Sequence, residues 1–220
     1  MKIICLGDSL TAGYRLSSED CWVQILNRET PHTWINAGVS GDTSTGLLVR
    51  LQTEVLPQQP DMVLLMGGDN DIMLTGSEDQ AKTSLMAMLH QCAARGVKPV
   101  VGIPFPIRNI PQRWQAVCDV ENARTASLRY IRWLRTLTDA ISLRRVDFAA
   151  AFAAAPLPDD DPHGSRSSAN GLRVCPPTAL HPEIDAVERM FAHSDRLVLP
   201  RITAPASRRR CTAKASYTGM

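Results

Sequence analysis

The chain has 220 residues, 44% hydrophobic and 21% charged, which leaves room for one domain with a sizeable core and is ordinary for a soluble globular protein. Its net charge of +2 is uneven: residues 201–220 carry Arg201, Arg208, Arg209, Arg210 and Lys214 and no acid, so the preceding residues are mildly acidic. That balance excludes a broad nucleic-acid surface on the folded part. The basic end, residues 196–220, reads as a disordered tail, with contact to an anionic partner as the alternative. The six cysteines show no C-x-x-C pair and no regular spacing, so neither a disulfide framework nor a metal site is expected. The N-terminus enters an apolar strand directly and no run of 18 apolar residues occurs. A cytoplasmic protein without stable membrane insertion is therefore expected.

Residues 2–6 (Lys-Ile-Ile-Cys-Leu) form the first strand-like run. Residues 20–28 place Trp22, Ile25 and Leu26 at helical spacing, and residues 33–37 make a short second strand ending in Asn36-Ala37-Gly38. Residues 43–56 predict a helix with Leu47, Leu48, Leu51 and Val55 on one face, stopped by Pro57. The continuous apolar run 61–66 predicts a central strand. A helix over 78–95 turns Leu85, Met88, Leu89 and Cys92 inward and ends at Gly96. Residues 98–103 give a fourth strand, closed by Pro104 and Pro106. Residues 119–142 give a long helix with Leu128, Ile131, Leu134 and Leu137, and residues 145–148 a short fifth strand. An alanine-rich segment follows at 149–155, then a loop rich in Pro, Asp, Ser and Gly. Residues 184–193 could form a last helix, closing a domain over 1–195.

Alternating β and α segments with uniformly apolar strands predict an α/β fold with a parallel sheet covered on both faces. Ligands in such sheets sit at the carboxyl ends of the strands. Three polar or glycine-bearing turns fall on that edge: residues 7–11, 36–42 and 67–71. In the first, Ser9 leaves a buried strand between Gly7 and Gly13, where a nucleophile would be held rigidly and approached freely. The alternative is an ordinary turn in which Ser9 caps the next helix. The N–H groups of Ser9 and Gly38 and the side-chain amide of Asn70 would form an oxyanion hole. Alternatively, Gly38 serves a tight turn and Asn70 caps a helix after the third strand.

Gly7-Asp8-Ser9-Leu10-Thr11, Asn36-Ala37-Gly38 and Gly68-Asp69-Asn70-Asp71, in this order and spacing, resemble three of the four blocks of the SGNH, or GDSL, hydrolase family of esterases and lipases. The resemblance covers about residues 2–148. It implies a three-layer α/β/α sandwich with a flavodoxin-like parallel sheet of about five strands. It also implies a serine esterase acting on small or medium acyl esters, with thioesters as the alternative, and no cofactor or metal. The fourth block is usually D-x-x-H-P. Leu180-His181-Pro182 makes His181 the base by position, but Thr178 stands where the family carries Asp. Loss of that charge costs a serine protease about 10⁴ in turnover. Asp160 with His163, or Asp185 one helical turn after His181, are other placements; Asn170-Gly171-Leu172-Arg173 would leave no dyad. Residues 104–114, with Phe105, Ile107, Ile110 and Trp114, shape an acyl pocket or simply pack. A catalytically impaired descendant that keeps the fold is the second functional reading.

Overall fold

The computed structural model describes residues 1–108, 110 and 115–154. The apolar runs form five parallel strands: β1 (Lys2–Gly7), β2 (Thr33–Gly38), β3 (Met62–Met66), β4 (Lys98–Ile103) and β5 (Arg145–Asp147). Their order across the sheet is β2-β1-β3-β4-β5, the flavodoxin-like order. Gly7 stands level with Gly38 on one side and Met66 on the other. The turns that follow β1, β2 and β3 therefore leave the sheet from a single row.

Alternation along the strands builds two cores. Ile4, Leu6, Val63, Leu65, Val101 and Ile103 face one side. There they meet α3 (Ser44–Arg50), α5 (Asp79–Ala94) and α6 (Val120–Ala140) through Leu47, Leu85, Met88, Tyr130 and Leu134. Ile3, Cys5, Met62, Leu64, Met66 and Val100 face the other side, against Val23, Ile25 and Leu26 of α2 (Trp22–Glu29) and Phe148 of α7 (Phe148–Ala154). Trp22 and Phe148 meet there with ring centroids 5.3 Å apart. The four described cysteines, Cys5, Cys21, Cys92 and Cys118, are buried free thiols, acting as small hydrophobes. Among the described residues no helix is long and apolar enough to cross a membrane.

Three of the expected elements differ in extent from the sequence expectation. The helix expected over 43–56 is α-helical only from Ser44 to Arg50; a wider π turn covers Leu51–Val55 and a 3-10 turn covers Leu56–Gln58. Leu51 and Val55 are both completely buried, and Pro57 lies in the 3-10 turn that follows. The long helix is trimmed to Val120–Ala140, with Asp119 as its cap accepting from Asn122 N. The last predicted strand stops at Asp147 because the alanine-rich segment already starts a helix at Phe148.

Candidate active site

A single-turn helix carries Ser9. α1 (Ser9–Ala12) follows β1 immediately, and its cap is Asp8 rather than Ser9: Asp8 Oδ1 accepts from Leu10 N at 3.0 Å. Ser9 is thus the first helical residue. Its N–H is one of the free donors of a helix start, and its half-buried hydroxyl has no hydrogen-bond partner among the described residues. A one-turn helix holds itself weakly, so its carbonyls are secured from outside. The Trp22 indole N–H donates to Leu10 O at 3.0 Å. Thr11 O accepts from Asn36 Nδ2 at 2.9 Å and from the Cys21 thiol at 3.5 Å.

The turn after β2 contributes two glycines with different work. A Cβ on Gly38 would overlap the Ala12 backbone nitrogen, so glycine here lets α1 lie against the end of β2. Its N–H is engaged, donating to Asn36 Oδ1 at 2.9 Å. Gly41 is exposed, has φ +85°, meets nothing within 4 Å at its Cβ position, and its N–H has no partner among the described residues. The sequence reading passed over Gly41; the Gly-Asp pair at 41–42, a common turn signal, was the clue.

Asn70 lies in the first turn of α4 (Asp69–Thr75), a helix that periodicity did not single out. The N-cap is Gly68, so Asn70 does not cap it. Instead its amide donates to Asp42 O at 2.7 Å, which fixes the orientation of the –NH₂ group at the head of the β3 turn. Asp71 anchors the same region, accepting from Ser44 N and Ser44 Oγ, both at 2.8 Å.

Acid groups crowd beneath these turns. Asp8 is 1% exposed; burial pushes its carboxyl up to about 7, the Leu10 N–H opposing and the nearby Asp42 and Asp71 charges adding to the rise. Asp69 is also pushed well above the usual carboxylate range by burial and by the Asp8 and Asp71 charges, and its Oδ1 is shut away from water with no hydrogen-bond partner among the described residues. Tyr130, buried against them, donates its hydroxyl to Gly67 O at 3.2 Å and is held protonated by burial and by Asp69. Raising these carboxyls lessens the negative charge beneath the turns that carry Ser9 and Asn70.

The structure thus brings Ser9, Gly38 and Asn70 to one edge. His181, Thr178, Asp160, His163, Asp185, His193, Asn170 and Trp114 lie outside the described residues. The described histidines are elsewhere. His32 precedes β2 at its amino end, and His90 is exposed late in α5, near the chain's entry to β4. Of the expected pocket segment, Ile110 is buried in the core and Ile107 packs against it, its N–H donating from the backbone to Ser127 Oγ at 3.1 Å. Both pack rather than line an opening. Among the described residues no group of three His, Cys, Asp or Glu side chains is placed to hold a metal.

A sequence profile of the GDSL-like lipase/acylhydrolase family matches residues 5–185. The chain belongs to that family. GDSL relatives include the thioesterase 1/protease 1/lysophospholipase L1 of Escherichia coli K12, 35% identical over 101 residues, which are 45% of this chain and 49% of that protein. Esterase TesA of Pseudomonas aeruginosa is 29% identical over 130 residues, 56% of this chain and 65% of that protein. The matches thus span about half to two-thirds of these curated relatives. The GDSL fold itself recurs in the lipase/acylhydrolase of Enterococcus faecalis, with TM-score 0.61 at 24% identity over 87% of this chain and 96% of that one. A carbohydrate acetylesterase family member from Sinorhizobium meliloti gives TM-score 0.63 at 20% identity, over 87% of this chain and all of the other.

Proposed function

We propose that this GDSL chain is a serine esterase that cleaves small or medium acyl esters, thioesters included. The observation that carries the reading is Ser9 itself: a hydroxyl and an N–H at a helix start, both unengaged, on the edge where the β2 and β3 turns converge. Ser9 Oγ attacks the acyl carbonyl while His181 takes its proton. The oxygen of the tetrahedral intermediate accepts from the Ser9 N–H, from the Asn70 amide and from one glycine N–H of the β2 turn. Gly41 is the better placed of the two glycines to donate, because the Gly38 N–H is spent on Asn36; Gly38 then serves to seat α1. Collapse expels the alcohol or thiol, protonated by the imidazole, and water activated by the same imidazole releases the acid.

The test is hydrolysis of a p-nitrophenyl acyl ester. Ser9→Ala should reduce kcat by at least about 10³-fold, and a fluorophosphonate should label wild type but not the variant. Equal rates sink the nucleophile assignment. Thr178, where the family carries Asp, favours a second reading in which the fold and pocket persist with impaired chemistry. A folded wild type that resists fluorophosphonate labelling supports that alternative.

A further inference from the structure

Arg50 closes the last turn of α3 with a side chain only 15% exposed. Its guanidinium reaches in three directions. Nη1 donates to Asp42 Oδ2 at 2.8 Å, Nη2 to the Ala37 carbonyl at 2.5 Å, and Nε to Glu54 Oε2 at 3.2 Å. Glu54 is 57% exposed, and such a pair contributes little. The other two contacts are different, because Ala37 and Asp42 bracket the loop 38–41. The same loop is tied at its start by Val39 N to Gly7 O at 3.0 Å and at its end by Asp42 N to Val39 O at 3.1 Å. The carbonyl just after the loop, Asp42 O, is the acceptor that orients the Asn70 amide.

We infer that Arg50 is a positioning residue for the oxyanion hole: by clamping Ala37 O and the Asp42 carboxylate together, it sets the Asp42 carbonyl that aims the Asn70 amide. The planar fork suits this task, since it spans a carbonyl and a carboxylate at once, and a lysine ammonium would hold one of them. Arg50 also balances the Asp42 charge, which otherwise adds to the acids around Asp8. The catalytic consequence rests on the serine-esterase reading; the positioning of Asn70 does not.

The experiment compares wild type, Arg50→Met and Arg50→Lys, each alone and with Asn70→Ala, using p-nitrophenyl acetate, with unfolding midpoints measured in parallel. Arg50→Met should lower kcat about 10- to 100-fold with KM within about 3-fold, the size expected when an oxyanion donor is displaced rather than deleted. Arg50→Lys should recover part of the loss. In the Asn70→Ala background the same Arg50→Met change should cost less than about 3-fold, because the group it acts through is gone. Independently of turnover, the ¹⁵N side-chain amide signal of Asn70, identified by its disappearance in Asn70→Ala, should shift and exchange with solvent at least about 10-fold faster in Arg50→Met. Equal losses in both backgrounds, or a lowered midpoint with an unchanged kcat, overturn the inference. An unchanged Asn70 signal overturns it whatever the activity. Should Ser9→Ala retain hydrolysis, the esterase reading falls, and the amide signal still decides what Arg50 does.

Discussion

Asp8 precedes Ser9, caps its helix through Leu10 N and is 1% exposed. Burial raises its carboxyl to about 7, so the native state holds a proton that the unfolded chain releases near pH 4. A state that binds more protons is favoured at low pH, and the wild type should therefore lose stability as pH climbs from about 4 to about 7. A rise of about three units corresponds to at most about 4 kcal/mol. Asp8→Asn keeps an acceptor for Leu10 N and removes the titration. In urea unfolding, the variant should gain on wild type between pH 5 and pH 8; a constant difference refutes the buried-acid assignment. Glu78 behaves with the opposite sign. It is 6% exposed, paired with Arg129 through two bonds at 3.0 and 2.8 Å and with Lys82 at 3.1 Å, and the Arg129 guanidinium chiefly holds it down at about 2. Its contribution is present above about pH 4.5 and is lost as pH falls towards 2. Glu78→Gln should cost about 1 kcal/mol at pH 7, discounted because Arg129 is 40% exposed, and clearly less at pH 3, read by the same unfolding curves.

At the scale of elements, α1 matters more than its four residues suggest. A single turn has no propensity to stand alone, and Trp22, Cys21 and Asn36 supply the missing partners for its carbonyls. Two of those residues come from the start of α2 and its cap, and the third from β2. Ser9 is thus gripped by the layer on one face of the sheet, while Asn70 is aimed from the other through α3 and its loop. Trp22→Phe preserves the ring contact with Phe148 and deletes only the indole donor. It should cost about 1 kcal/mol in unfolding free energy and slow fluorophosphonate labelling of Ser9 by about 10-fold. Labelling at the wild-type rate would mean that α1 holds Ser9 without this bond.

For the molecule as a whole, the strands, their parallel arrangement and the edge that carries the site could be read along the chain. Uniformly apolar runs such as Met62–Met66 suit only strands covered on both faces, and the spacing of polar turns put Ser9, Gly38 and Asn70 at the ends of successive strands. Helix α4 and the π turn at Leu51–Val55 were not legible. The first is too short for its period to register, and the second keeps an apolar pattern that an ordinary helix also satisfies. Within the candidate site, local order along the chain suggested which side chains to consider, because a motif is a statement about neighbours in sequence. It assigned Gly38 a donor's part, and the folded chain shows that N–H bonded to Asn36. Which N–H is free, which acid burial raises beside Asp42 and Asp71, and that Arg50 ties Ala37 to Asp42 all depend on atoms far apart in sequence. Hydrogen bonding and burial are set by what packs alongside, so these properties exist only once β1, β2 and β3 stand side by side and the helices close over them.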